Sequence, residues 1–381
     1  MNAALLARLR AKLAERTQQG LWRKTQARAS QSTLVNLANN DYLGLAQDPA
    51  VIAAATEALK IWGASSSASP LVTGYTEVHE QLEKTLAAWH GYPYALLMNT
   101  GYAANAAVLG GLPQKGDLVL ADRLVHASML AGILASGTTL RRFAHNDLNA
   151  LEALLQENRD HAGAVFVVTE SVYSMDGDSP DLKRLVALRA QYQFCWILDE
   201  AHATGWHGST GSGLQEEQGV RGEADIVVGT LGKALGSQGA YVLCRWPEVR
   251  DALVNFAGEF IYSTYLAPSS AAAALAAIQR VQSMATERQQ LQEFSRQARS
   301  QLRTAGFEVP LGHSPIIPLV IGDATTAVRQ AEHLRAAGFI VSAIRPPTVP
   351  QGTARLRISL RRGMSPEVVA QLIAILQGGQ R

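Results

Sequence analysis

The chain has 381 residues, 47% of them hydrophobic and 17% charged, and no apolar run approaches the ~18 residues that a membrane span needs. Thirty-four basic residues against 32 acidic ones leave a net charge of +2, which excludes a general electrostatic hold on nucleic acid or anionic lipid. The two cysteines, Cys195 and Cys244, lie in the apolar runs "QFCWIL" and "AYVLC", so a disulfide framework is excluded and buried thiols in a reducing cytoplasm are expected.

The first segment places Leu5, Leu9 and Leu13 on one helical face among Arg8, Lys12 and Arg16. It has no h-region of a secretory signal, and Glu15 argues against an Arg-rich transit peptide, so a packed surface helix is predicted. From about residue 50 to 245, apolar runs alternate with helical patterns: "ALLMNT", "DLVLAD", "TLRRFAH", "AVFVVTE", "FCWILDE", "DIVVGT" and "GAYVLC". This alternation predicts an α/β domain with a mainly parallel sheet flanked by helices.

After Pro268 the chain turns alanine-rich, then Gln/Arg-rich. Beyond it "SPIIPLVIG", "GFIVSAI" and "ARLRISL" read as strands of a smaller α+β domain. The expected division is an N-terminal helix and arm over 1–48, a large domain over 49–268 and a small C-terminal domain over 269–381.

Polar residues gather where the strands of the large domain end: Asn99 and Gly101, Asp122, Glu170, Asp199 and Glu200, Thr230 and Lys233. Ligands of parallel sheets bind at that edge. The "DEAH" of "CWILDEAHATG" invites a nucleotide-driven motor reading, but no G-x-x-x-x-G-K-[ST] loop is present, because Ala234 follows Gly232-Lys233. No G-x-G-x-x-G or G-x-S-x-G follows a strand either. Metal ligation by His202, His207 and Asp199 is disfavoured by the i, i+5 spacing of the two imidazoles, so no metal is expected.

What remains is a lysine in a small-residue loop, an aspartate, histidines and hydroxyls at one strand edge. Burial favours the neutral amine of a lysine, and a neutral amine condenses with aldehydes. If that aldehyde is pyridoxal 5'-phosphate (PLP), Asp199 suits the pyridine nitrogen and His126 the ring face. His202 and Ser174 suit the phenolate oxygen, and "NTGYAAN" with "GTLGK" suits the phosphate. Each residue alone also has an ordinary reading as a cap, turn or strand residue.

The motifs "NDYLGL", "TGYAANAAVL", "ADRLVHASML", "LRRFAHND", "VVTESVYSMDGD", "LDEAHATG", "GTLGKALGSQGAYV", "FIYST" and "AIRPPTVPQGTARLRISL" resemble the α-oxoamine synthases over nearly the whole chain. These are PLP-dependent enzymes of fold type I, and the closest likeness is to the branch that condenses L-alanine with a pimeloyl thioester in biotin biosynthesis. The resemblance implies that Lys233 carries the cofactor and moves the proton, with Asp199 and His126 as its catalytic companions. It further implies cofactor contacts from Gly101, Tyr102, Ser174, His202 and Thr230, with Ser263 supplied by a partner subunit.

For substrates, the resemblance implies that Arg357 grips the amino acid carboxylate and that Arg23, Asn40, Arg345 and Thr348 line the acyl-donor end beside His126. A cytoplasmic homodimer is implied, with coenzyme A or an acyl carrier protein as the thiol carrier. The alternatives are a sibling synthase such as a glycine C-acetyltransferase and a silent binding subunit, the latter disfavoured by the complete Lys233, Asp199, His126 and His202 set. One departure is the loop "GASSSASPLVTGY" over 63–75, where relatives carry a glycine-dense segment.

Overall fold

The computed structural model describes residues 2–30 and 32–378. They form two compact units. The larger runs over Asn40–Ser174 and Asp178–Gln292, and the other takes the chain up to Asn39, Met175–Gly177 and the chain from Glu293 on. The sequence places the second boundary at 268, whereas the units divide at Gln292/Glu293. The helix Pro268–Ser283 stays with the larger unit because Ala271, Ala274, Ala277, Ile278 and Val281 are buried, and it packs against the helices Pro49–Trp62 and Glu77–His90.

The larger unit is built on β1 (Tyr94–Met98), β2 (Leu118–Asp122), β3 (Thr139–Phe143), β4 (Val165–Glu170), β5 (Cys195–Asp199), β6 (Ile226–Thr230) and β7 (Ala240–Cys244). They lie in one seven-stranded sheet, in the order β1-β7-β6-β5-β4-β2-β3. β7 is antiparallel to both neighbours, and the other pairings are parallel. "LVLAD" is buried at every position, as an inner strand covered on both faces requires. "TLRRF" is half-exposed because it lies at the edge.

The helices of this unit begin where the chain supplies caps. Asp48 accepts from Ala50 N at 2.9 Å just before Pro49, and Asp147 and Asp181 cap the helices Leu148–Glu157 and Leu182–Tyr192. Within the other unit, β8 (Ile316–Gly322), β9 (Ser342–Ile344) and β10 (Ala354–Ser359) form an antiparallel sheet in the order β9-β10-β8.

The N-terminal helix is present as Ala3–Gln18, but none of its residues is buried, so the expectation that its leucine face is packed is corrected. Cys244 is buried and Cys195 half-buried, both without a disulfide; burial pushes their thiols up to about 11 and about 12. Among the described residues no helix is long and apolar enough to cross a membrane.

Candidate active site

Parallel pairing aligns the C-terminal ends of β4, β5 and β6, with Glu170 opposite Asp199 and Asp199 opposite Val228. Asp199 is buried and firmly held. Its Oδ1 accepts from Ala201 N at 2.8 Å and its Oδ2 from Asn105 Nδ2 at 2.8 Å. Asn105 sits on the inward side of α1 (Gly101–Gly111), and the same amide donates to Ser128 Oγ at 3.1 Å.

Ser128 Oγ is 2.8 Å from His126 Nδ1, and His126 caps α2 (Ala127–Ser136) by accepting from Ser128 N. A continuous chain of hydrogen bonds therefore joins Asp199 to His126. Burial holds His126 below its ordinary value; the Asp199 carboxylate opposes that shift and the Lys233 charge adds to it. Lys233 and Asp199 thus act electrostatically on the same imidazole.

Lys233 is half-buried in the turn after β6, where its carbonyl accepts from Gly236 N at 2.9 Å. Gly236 has φ +63°, and a Cβ there would lie 2.2 Å from Ala46 N, so only glycine lets this turn close against Ala46. Thr230, at the strand end, donates to Gly239 O at 3.1 Å and accepts from Gly232 N, which fixes the other side of the turn.

His202 is buried, with Nδ1 2.7 Å from Tyr42 OH, and Tyr42 OH also lies 3.2 Å from Asn40 Oδ1. His207 takes a different partner, Glu217, at 2.9 Å, so the two imidazoles are committed separately. Ser174 is buried, its N–H donating to Glu170 Oε2 at 3.3 Å. Glu170 is itself buried; burial first, then the neighbouring Asp199 charge, raise its carboxyl well above the usual range, and Lys233 only partly opposes this. Glu200, the next acid along the chain, is structural: its two oxygens cap the N–H groups of Leu214 and Gln215.

At the start of α1, Thr100 Oγ1 accepts from Ala103 N at 3.0 Å, and a Cβ on Gly101 would meet open space. Tyr102 beside it is exposed. Ser263 follows the short helix Gly258–Ile261, and the next carbonyl, of Thr264, accepts from Asn99 Nδ2 at 2.7 Å. The larger unit thus carries Lys233, Asp199, His126, Ser174, His202, Thr230, Gly101, Tyr102, Ser263 and Asn40.

The other unit carries the remaining residues singled out from the sequence. Arg23 Nη2 donates to Thr348 Oγ1 at 3.1 Å, and Arg345 donates to the carbonyls of Gly20 at 2.6 Å and Trp22 at 3.2 Å. These three form one cluster. Arg357, on β10, is buried and donates to Ser359 Oγ at 2.9 Å, while Arg355, two residues earlier on the same face, is paired with Asp176.

The departing loop is settled locally. Ser66 Oγ donates to Leu266 O at 2.5 Å, and Gly74 is required because a Cβ there would lie 2.2 Å from Ala68 O.

The donor set fits PLP. A half-buried lysine, an anchored carboxylate on the adjacent strand and a helix N-terminus with open space above Gly101 offer partners for the aldehyde, the ring nitrogen and the phosphate. Buried Asn99 Oδ1, at the same edge, has no partner among the described residues.

A sequence profile of aminotransferase class I and II matches residues 32–376. The chain belongs to that family. As a member of the aminotransferase class I and II family, it is 42% identical over 374 residues to the 8-amino-7-oxononanoate synthase of Photobacterium profundum, covering 96% of this chain and 94% of the relative. Its fold matches the 8-amino-7-oxononanoate synthase of Francisella tularensis with a TM-score of 0.79 at 28% identity, covering 91% and 98% of the two chains. A serine palmitoyltransferase of S. paucimobilis with a bound PLP–myriocin aldimine matches with a TM-score of 0.91 at 28% identity, covering 100% and 99%. PLP is this family member's cofactor, and the fold is the fold type I architecture expected from the sequence.

Sequence reasoning gave no role to Tyr42, Asn105, Ser128 or Glu170. Asn105 is the residue that a closer look at pattern finds: a lone amide inside "AANAAVL", on a helix otherwise buried through alanine, valine and leucine.

Proposed function

We propose that the chain is an 8-amino-7-oxononanoate synthase that condenses L-alanine with a pimeloyl thioester, releasing carbon dioxide and the free thiol carrier. The observation that carries the reading is that Lys233, in the turn after β6, and Asp199, at the end of the adjacent β5, both act electrostatically on His126, in a chain 42% identical to such a synthase. When bound, PLP supplies an electron sink for the carbanion at the alanine α-carbon.

The rest is assigned to this chain's own groups. Lys233 Nζ takes the α-proton and later returns it. The Asp199 carboxylate keeps the ring nitrogen protonated, His126 covers one ring face, and His202 and Ser174 donate to the phenolate oxygen. Gly101, Tyr102, Thr230 and Ser263 are assigned to the phosphate region. Arg357 is assigned to the alanine carboxylate, and Arg23, Asn40, Arg345 and Thr348 to the acyl-donor end; for these the support is the family likeness together with the Arg23, Thr348 and Arg345 cluster.

We assign a cytoplasmic homodimer with coenzyme A or an acyl carrier protein as thiol carrier. The large side chains left exposed at Leu71, Val72, Tyr102, Phe256 and Tyr262 support burial of apolar surface against a partner subunit. A monomer mass by light scattering at micromolar concentration removes the dimer.

The deciding experiment is an assay of purified holoenzyme with alanine, glycine and serine against pimeloyl-CoA, pimeloyl carrier protein, acetyl-CoA and palmitoyl-CoA. Turnover confined to alanine and a pimeloyl donor is the expected result. The higher TM-score to the palmitoyltransferase makes serine with palmitoyl-CoA the reading that would replace this one.

A further inference from the structure

The motif "LRRFAHND" contains a histidine with no part in the chemistry above. His145, just beyond β3, places Nδ1 3.0 Å from Asp122 Oδ1 and Nε2 2.9 Å from Asp178 Oδ2. Asn146 repeats the connection: its backbone N donates to Asp122 Oδ2 at 2.8 Å and its side-chain Nδ2 to Asp178 Oδ2 at 2.6 Å. The rings of Tyr173 and His145 stand perpendicular, at 89°, with their centroids 4.5 Å apart.

Each acid is tied to a different segment of the site. Asp122 Oδ1 also accepts from Leu124 N at 2.7 Å, two residues before His126. The Asp178 carbonyl accepts from Tyr173 N at 3.0 Å, one residue before Ser174. Burial alone would lower the imidazole, but the hydrogen bonds and charges of the two acids raise it to about 10, so the ring carries both protons at neutral pH and satisfies both acceptors.

We propose that His145 is a positioning residue whose imidazolium, bound between Asp122 and Asp178, fixes the segment bearing His126 relative to the segment bearing Ser174. It touches neither residue. The proposal rests on the reading of His126 and Ser174 as cofactor contacts.

The test is a PLP titration of apo-protein for wild type, His145→Gln, Asp178→Asn, Ser174→Ala, His126→Ala and the His145→Gln/Ser174→Ala double variant, with the visible spectrum of each loaded form and the melting temperature of each apo form. A glutamine amide spans one acid but not both, so His145→Gln should weaken PLP binding about tenfold, the scale of one charge-assisted hydrogen bond, and shift the visible band as Ser174→Ala does. The double variant should be weaker than Ser174→Ala by much less than that factor, since both changes act on one contact. Asp178→Asn, which keeps the shape, should reproduce the effect and covers the case in which His145→Gln does not fold.

A lowered apo melting temperature with wild-type affinity and spectrum in both His145→Gln and Asp178→Asn overturns the proposal. Unchanged affinity and spectrum in Ser174→Ala and His126→Ala overturn the reading of the cofactor contacts instead.

Discussion

Asn105 Nδ2 lies 2.8 Å from Asp199 Oδ2 and 3.1 Å from Ser128 Oγ, so one buried amide joins the acid assigned to the ring nitrogen to the turn that presents His126. Its loss removes a donor from a buried carboxylate. Replacing it by Ala should lower kcat with alanine about 10- to 100-fold, from the roughly 1.5–3 kcal/mol of a hydrogen bond to a charged group. Steady-state kinetics on cofactor-saturated protein checks this, and an unchanged kcat removes the amide from the mechanism.

Tyr42 OH is 2.7 Å from His202 Nδ1 in a buried site. A partner on Nδ1 fixes the tautomer and orientation of the ring, on which the contact with the cofactor's phenolate oxygen assigned above depends. Tyr42→Phe should therefore shift the visible cofactor band while preserving the fold. Its kcat should drop by about tenfold, the cost of one lost buried hydrogen bond. Identical absorption spectra for Tyr42→Phe and wild type would place His202 away from the ring.

The Lys233 turn depends on one glycine. Gly236→Ala meets both a left-handed φ of +63° and a Cβ position 2.2 Å from Ala46 N. The strain and the displaced backbone should destabilise the protein by about 2 kcal/mol or more, and cofactor incorporation should fall with it. Thermal melting and the PLP content of the purified variant measure the two effects separately.

These relationships divide by how they are encoded. The strands were legible because inner strands such as "LVLAD" and "AYVLC" are continuously apolar, and Lys233 and Asp199 stood out because charges at the ends of such runs need a reason. Asn105, Ser128 and Tyr42 did not stand out because each acts across the fold: Asn105 bonds Asp199 94 positions away and Tyr42 bonds His202 160 positions away. The helix after Pro268 was hard to place from sequence for the same reason, since its alanine face is explained only by the helices it meets.

Glu83 offers a pH test outside the reaction chemistry. Burial outweighs the hydrogen bonds from Tyr75 and Leu97 and raises its carboxyl from 4.5 to about 7. The folded state thus binds this proton more tightly than the unfolded chain. Its stabilising contribution is present below pH 4.5 and is lost as pH rises toward and through 7. Glu83→Gln, which cannot ionise, should gain stability over wild type between pH 5 and pH 8, by at most about 3 kcal/mol. Urea unfolding at the two pH values decides it, and a constant difference would place an ionised Glu83 in the fold.

Glu170 and Asp199 are register partners on adjacent strands, and both are buried. Two carboxylates so placed repel, and burial bears on Glu170 first. Asp199 accepts from Asn105 and Ala201 at 2.8 Å each, while Glu170 takes a longer 3.3 Å bond from Ser174 N and a backbone bond from His126. Burial and the neighbouring Asp199 charge push the Glu170 carboxyl well above the usual carboxylate range, so of the two acids Glu170 is the one that favours the proton. Glu170→Gln, neutral and of the same shape, should keep kcat within about threefold of wild type. Glu170→Ala should lose roughly 1–3 kcal/mol of stability by opening a buried polar site and unpairing Ser174 N. Kinetics and urea unfolding of the two variants separate shape from charge; a Gln variant as impaired in kcat as the Ala variant would mean that an ionised Glu170 takes part in the reaction.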